Sequence, residues 1–338
     1  MSDSTYPEDR YLKSIVCVSA LLAAKRIGLL ERVLQGPINA DAILQIGPNA
    51  QLLLDALISA GVLQPNGAGL SGDPEFLGIW RERGPQAEAR LEMTALVACD
   101  ALQRPEKLFG AFEGFMSESK TFNFFRYDRA TQTNAAHIAA TRPYCDYVCA
   151  LTSAEAPYLL SAVSLEGCRD VLEIGGNTGE LAAAVLTKYP TIRYCVMDMP
   201  AVCHIGSERH AAKPWSNRLR FLAGDARSDP WPNTADVVLF KSVLHDWPEK
   251  EARRFLSRAR EVLGPGGRVM VMERAPLTTL TANAPTSLLT DVVFAPFFRP
   301  PELYATWMAD AGFEKTRITS AIDDPPFYAV EACVEGGA

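Results

Sequence analysis

The sequence predicts an α/β protein in which a helix-flanked sheet follows a mostly helical N-terminal region, and three observations carry that prediction. The stretch Val171-Leu-Glu-Ile-Gly-Gly-Asn-Thr-Gly179, followed after a helix-length interval by Cys195-Val-Met-Asp-Met199, reads as strand, glycine turn, helix and a second strand ending in an acid. Beyond Gly167, apolar strand-like runs alternate with helical patterns. Before it, the order helix, helix, hairpin is that of a winged helix-turn-helix.

Taken in order, Ile15, Val16, Ala20, Leu21, Ile27, Leu29 and Leu30 recur at helical spacing between Tyr11 and Leu34, with Gly28 near the end of a first helix. Asn39 is placed to cap a short helix reaching Ile46, and residues 49–60 form a second. Gly61-Val62-Leu63 reads as a strand entering a tight turn at Gln64-Pro-Asn-Gly67. From Val33 through Trp80 there is no Lys or Arg, whereas a recognition helix needs cations for phosphates and base edges. The region is therefore expected to pack or dimerise, not to read DNA. From about Arg90 to Val163 the pattern is helical, with aromatic clusters at Phe109, Phe112 and Phe115 and at Phe122-Asn-Phe-Phe-Arg-Tyr127. Five strands follow at 170–174, 193–197, 219–223, 237–240 and 268–272. The expected division is residues 1–95 for dimerisation, 96–163 as a helical linker lining the substrate, and 164–338 for cofactor binding and catalysis.

Bulk properties narrow the classes. At 338 residues, 48% hydrophobic and 22% charged, the chain can bury a sizeable core, and a net charge of −7 argues against non-specific nucleic-acid binding. The eight cysteines include no C-x-x-C pair and read as reduced, mostly buried thiols. Cys145 and Cys149 stand at helical spacing near His137, but a metal site needs a fuller ligand set, so none is expected. No signal-peptide or membrane-spanning pattern is visible, which makes the cytoplasm the expected location.

The chemistry lies at the strand ends. The glycine turn lets backbone approach a ligand, and Asp198 stands where a carboxylate holds ribose hydroxyls. Leu222-Ala-Gly-Asp-Ala226 ends a third strand, Val237-Val-Leu-Phe-Lys-Ser-Val-Leu-His-Asp-Trp247 ends a fourth, and Leu263-Gly-Pro-Gly-Gly-Arg268 turns into a fifth. In this order the segments resemble the class I S-adenosylmethionine (SAM)-dependent methyltransferases. Lys241 through Trp247 resembles the small-molecule O-methyltransferases of the plant caffeate and bacterial polyketide type. The resemblance implies a Rossmann-like domain with a mixed seven-stranded sheet, a winged-helix dimerisation domain and a homodimer. It implies transfer of a methyl group from SAM to a hydroxyl of an aromatic or polycyclic molecule. It further implies SAM contacts from Glu173, Gly175, Gly176, Asn177, Gly179, Asp198, Met199, Gly224, Asp225, Ala226 and Lys241, with His245 as general base and Glu273 orienting it.

An imidazole suits that role, because methylating a phenol of pKa about 10 requires a proton acceptor that works near neutrality. Asp246 reads as the N-cap of a helix over 248–262. Two departures from the family stand out: the position of its second orienting acid falls at Phe298, and Asn177 replaces a common glycine. With that acid missing, His245 is left to Glu273 or Asp291, and N- or C-methylation, or SAM binding without transfer, stand as alternatives. Phe124, Phe125, Phe294, Phe297, Phe298, Trp307 and Met308 are candidates for an apolar acceptor wall. Trp307 and Met308 equally fit the buried face of a helix over 301–311.

Overall fold

The computed structural model describes residues 9–67, 69–277, 291–323 and 326–336. Residues 1–8, where the sequence shows no signal-peptide pattern, lie outside them. The chain divides into two compact units after Pro105.

In the first unit, α1 (Asp9–Arg26) ends just before Gly28, as expected, and α2 (Leu29–Gln35) follows. Gly28 separates them in the left-handed region at φ 70°, a conformation open to glycine without strain. Asn39 caps α3 (Ala40–Leu44) as expected, its side chain accepting from the Asp41 N–H at 2.8 Å. After α4 (Ala50–Ser59), strand β1 (Leu63–Asn66) runs through the residues expected to form the turn, and Gly67 at φ 58° turns instead. β1 pairs antiparallel with β2 (Gly69–Gly72), and in so short a ribbon Pro65 sits where no sheet interior needs its N–H. Leu29, Leu30, Ile43, Leu54 and Leu57 form the core under this helix, helix, hairpin arrangement. Helix α5 (Pro74–Gln103), capped by Asp73 and kinked at Arg83, passes through residue 95.

The second unit opens with short helices α6 (Pro105–Gly110), α7 (Phe112–Glu118) and α8 (Lys120–Phe124), then the long α9 (Ala135–Ala162). The sheet is built from β3 (Asp170–Ile174), β4 (Arg193–Asp198), β5 (Leu219–Ala223), β6 (Val237–Lys241), β7 (Arg268–Arg274), β8 (Glu314–Asp323) and β9 (Pro326–Cys333). Helices α10 (Glu180–Lys188), α11 (Pro200–His210), α12 (Glu249–Val262) and α13 (Pro301–Asp310) connect them. The order among the described residues is β5-β4-β3-β6-β7-β9-β8, parallel from β5 to β7 and antiparallel through β9 and β8. The expected mixed seven-stranded sheet is thus formed.

Alternation along the strands divides the core into two layers. Leu172, Ile174, Val238 and Phe240 face Phe255 and Leu256 of α12 and Trp307 and Met308 of α13. Val171, Val237 and Leu239 face Leu159 and Leu160 of α9 and Leu181 and Val185 of α10. Because β4 and β5 are laid down on one side of β3 and β6 and β7 on the other, the direction of strand addition reverses at β3. That reversal opens a crevice at the strand C-termini, where ligands of open α/β sheets bind.

A buried ion cluster ties α9 to these ends. Glu155 accepts from Lys241 Nζ at 2.6 Å and from Arg274 Nη2 at 2.9 Å, and Arg274 pairs with Asp291 at 3.3 Å. Burial raises the Glu155 carboxyl pKa, but the two cations win and hold it below its ordinary value. Removing the anion strands the buried Lys241 and leaves Arg274 with Asp291, so Glu155→Ala should lower unfolding free energy by about 3–5 kcal/mol. Urea denaturation at neutral pH checks this; a loss under about 1 kcal/mol contradicts it.

Candidate active site

The glycine turn after β3 is shaped by what surrounds it. Gly175 has φ 71°, and a Cβ there would lie 2.6 Å from the Val243 side chain, which comes from the end of β6. Asn177 takes φ 50°, tolerable for Asn because its short amide bonds locally, here accepting from the Thr178 N–H at 2.8 Å. The Asn177 N–H donates to Asp198 Oδ2 at 2.8 Å and the Met199 N–H to Oδ1 at 2.7 Å. Each Asp198 oxygen retains a lone pair for a ligand hydroxyl. Burial pushes the Asp198 carboxyl up to about 6, with the two amides pulling the other way.

These groups border a cavity of about 370 Å³ at the strand C-termini. Gly175, Asp198, Met199, Gly224, Asp225 and Ala226 line it as the family motifs imply. Asp225 is braced by Arg227, whose guanidinium lies 4.9 Å from the Trp247 ring centre. A nucleoside-bearing sulfonium fits this cradle. Asp198 offers an anionic acceptor pair, Gly175 leaves the space a Cβ would fill, and Ser242 Oγ on the wall is buried without a partner among the described residues. A smaller cleft of about 240 Å³ lies at the opposite strand ends beside Arg193 and Arg220, away from this crevice.

Glu173, Gly176, Asn177, Gly179 and Lys241 fall outside the lining. Glu173 lies under the loop, accepting from Tyr194 Oη at 3.0 Å, and burial carries it up to about 7. A Cβ on Gly176 would meet its Oε2 at 2.6 Å, so the carboxylate supports the turn from below. Lys241 is engaged with Glu155 and donates to Thr152 Oγ1 at 3.1 Å. Gly179 stands at the head of α10 at φ 84°.

His245 sits in a short 3₁₀ turn, Leu244–Asp246, after β6. Its Nδ1 donates to Glu273 Oε2, and the other oxygen of Glu273 accepts from the N–H groups of Val243 at 3.1 Å, Leu244 at 2.9 Å and His245 at 3.4 Å. Glu273 is therefore the orienting acid, while Asp291 is turned to Arg274. The ring of Phe298 meets the imidazole edge-on at 5.6 Å. Burial alone would lower the His245 pKa, yet the Glu273 and Asp246 carboxylates outweigh it and hold it above the ordinary imidazole value.

Asp246 does not cap α12. Trp247 and Pro248 are extended, the helix starts at Glu249, and Asp246 instead turns Oδ1 to within 3.2 Å of His245 Nε2. Three residues that spacing alone did not reveal complete the site. Tyr127 donates to Asp246 Oδ2 at 2.5 Å, Tyr144 lines the cavity beside Asp198, and Arg299 donates to the Leu244 and Trp247 carbonyls. Tyr127 and Tyr144 lay within the aromatic-rich helical tract, whereas nothing in the sequence ties Arg299 to a loop 52–55 residues earlier.

The proposed acceptor wall divides. Phe125 meets Phe294 at 5.2 Å, and Phe124 packs on Tyr144 and Tyr147, in an aromatic cluster that also holds Phe112, Phe115, Phe122 and Phe297. Phe109 is 80% exposed and stands outside it. Trp307 and Met308, at 1% and 0% exposure, belong to the core because α13 turns that face onto the sheet.

Residues 137–314 match the O-methyltransferase domain family, and the chain belongs to it. The 3-hydroxy-5-methyl-1-naphthoate 3-O-methyltransferase of Streptomyces sahachiroi is 24% identical over 88% of this chain and 86% of its own. The N,N-dimethyltransferase OxyT of Streptomyces rimosus is 28% identical over 75% of this chain and 74% of its own. The fold is shared with human N-acetylserotonin methyltransferase, solved in complex with SAM, at 19% identity and TM-score 0.70 over 100% of both chains.

The raised Asp198 pKa has a definite sign in stability. Between its ordinary value of 3.8 and about 6, the folded chain binds a proton that the unfolded chain has lost, so this group's contribution falls as pH rises through that window. Asp198→Asn lacks this dependence. The melting-temperature difference, variant minus parent, should accordingly shrink from pH 7.5 to pH 5 in scanning calorimetry, while cofactor binding at pH 7.5 weakens at least about tenfold. A difference that does not change with pH contradicts the assignment.

Proposed function

We propose that the chain transfers a methyl group from SAM to a hydroxyl of an aromatic or polycyclic small molecule. The carrying observation is that one cavity joins the Asp198 carboxylate to the Asp246 end of the His245–Asp246 pair. Membership of the O-methyltransferase family and the naphthoate-methylating relative support the reaction class and the acceptor. When bound, SAM supplies an electrophilic methyl group on a sulfonium. In this reading Asp198 receives the ribose hydroxyls, Gly175 through Gly179 follow the methionine part, and Gly224, Asp225 and Ala226 border the adenine. Glu173 and Lys241 act from behind that surface.

The protein's part is alignment and proton removal. Oxygen and methyl carbon held in near-attack contact gain most of the available acceleration from orientation. The cluster of Glu273, His245 and Asp246 draws off the acceptor's proton, and Phe124, Phe125, Phe294 and Phe298 offer apolar surface to a flat ring. Residues 1–95 serve dimerisation in a homodimer, 96–163 line the substrate, and 164–338 bind cofactor and carry the chemistry. No described helix is long and apolar enough to cross a membrane, in keeping with cytoplasmic work in secondary metabolism.

The N,N-dimethyltransferase relative favours a second reading with nitrogen as acceptor, where a free amine lone pair makes proton removal less demanding. Incubation with labelled SAM and matched panels of phenols and aryl amines separates the two. His245→Gln should lower turnover of the phenol about 10²–10⁴-fold with cofactor affinity within about threefold of the parent. Phenol methylation that survives His245→Gln unchanged contradicts the proton-removing role.

A further inference from the structure

Thr178, between Asn177 and Gly179 in the glycine turn, is buried and is held at both its hydroxyl and its carbonyl by the last two residues of α11. Arg209 Nη1 donates to Thr178 Oγ1 at 3.1 Å, and His210 Nε2 lies 2.9 Å from the Thr178 carbonyl oxygen. The other ring nitrogen fixes the tautomer. The indole N–H of Trp215, which can only donate, meets His210 Nδ1 at 3.1 Å. Nδ1 is therefore the acceptor, and Nε2 carries the proton given to Thr178. His210 is buried and stacks on Phe221 at 6.1 Å and 27°. That approach is open because Gly206 has no Cβ, which would lie 2.5 Å from the Phe221 ring.

Three charged side chains surround the imidazole. Glu180 at the start of α10 lies 3.9 Å from Nε2, Arg209 precedes it on α11, and Lys213 follows that helix. Burial, aided by the two cations, outweighs Glu180 and the Thr178 carbonyl and keeps His210 below the ordinary imidazole value. Arg209 also pairs with Asp146 of α9 at 2.6 Å and with Glu180 at 3.3 Å, so one guanidinium joins both helices to the turn. Because α11 begins directly after Asp198 and Met199, the contacts close a ring. It runs from Asp198 along α11 to Arg209 and His210, across to Thr178, and back through the Asn177 N–H, which donates to Asp198 Oδ2 at 2.8 Å.

We propose that His210 is a positioning residue for cofactor binding: its Nε2–H, with Arg209 beside it and Trp215 behind it, fixes Thr178 and through it the Asn177 N–H on Asp198. This rests on the reading above in which Asp198 receives the ribose hydroxyls and the turn follows the methionine part of SAM. His210 itself lies outside the cavity and acts through Thr178. Without that anchor the turn takes other conformations in the free protein, and apparent affinity falls with the fraction that is competent to bind. At saturating cofactor the ligand holds the turn, so the methyl-transfer step is little changed.

The test combines 15N spectra, calorimetric titration with S-adenosylhomocysteine and steady-state kinetics. The chain has four histidines, and His210→Gln assigns the ring resonances of His210. In the parent at pH 7.5, Nε2 should carry a proton and Nδ1 none. His210→Phe keeps a ring on Phe221 but removes both hydrogen bonds. It should weaken S-adenosylhomocysteine binding about tenfold or more and raise the KM for SAM to match, with kcat within about threefold. Two amides separate the bonds should the Phe variant fail to fold. His210→Asn keeps an acceptor for Trp215 but is too short to reach Thr178, and should bind as weakly as His210→Phe. His210→Gln keeps a donor for Thr178 and should bind within about threefold of the parent. A parent protonated on Nδ1 overturns the proposal. So do Phe and Asn variants that bind within about threefold of the parent, a Gln variant as weak as they are, or a fall in kcat with KM unmoved. A parent that binds no S-adenosylhomocysteine overturns the cofactor reading and this assignment together, whereas a binding parent with those results overturns this assignment alone.

Discussion

The carboxylate of Glu273 is the constraint on which the catalytic end of the sheet depends. It is 1% exposed, and a buried anion is tolerated only where hydrogen bonds replace its water. Ser242, at φ 54°, bends the chain after β6 so that three successive N–H groups converge on one oxygen of Glu273. The other oxygen takes the imidazole. One side chain on β7 thus fixes the backbone after β6, the tautomer of His245 and the direction in which Asp246 leaves the turn. Arg299 closes the same turn from outside through the carbonyls of Leu244 and Trp247.

The cofactor side follows a parallel logic with the opposite tolerance. Among the described residues Asp198 is held by two backbone amides, which do not offset its burial, so its carboxyl is pushed up to about 6. A group left short of partners in a cavity is one a ligand can complete, whereas Glu273 is already complete and serves geometry. The buried cluster of Glu155, Lys241, Arg274 and Asp291 belongs with Glu273: its charges are spent on each other and hold α9 against the strand ends.

What could be read from the sequence follows from how local each signal is. The strand at Asp170–Ile174, the glycine turn and the acid at Asp198 lie within a single strand-turn-helix-strand unit, and periodicity with glycine placement locates them without long-range knowledge. The end of the first helix near Gly28 was equally local, because a glycine in the left-handed region ends a helix that apolar spacing would continue. Asp246 misled for a different reason: its distance from α12 suits a cap, but the extended Trp247–Pro248 pair moved the cap position two residues on, to Pro248. Tyr127 and Arg299 act across 119 and 52–55 residues, and no spacing rule reports a contact of that range. Trp307 showed helical periodicity, which identified a buried face but not which side of α13 met the sheet.

We propose that the Glu273-fixed turn presents the His245–Asp246 pair to an acceptor in the cavity lined by Asp198. A crystal structure with S-adenosylhomocysteine and a phenol bound tests it most directly. Ribose hydroxyls should lie on Asp198, with the phenol oxygen within hydrogen-bonding distance of His245 or Asp246 and His245 Nδ1 still on Glu273. A phenol oxygen bound outside this cavity, or away from both His245 and Asp246, would contradict it.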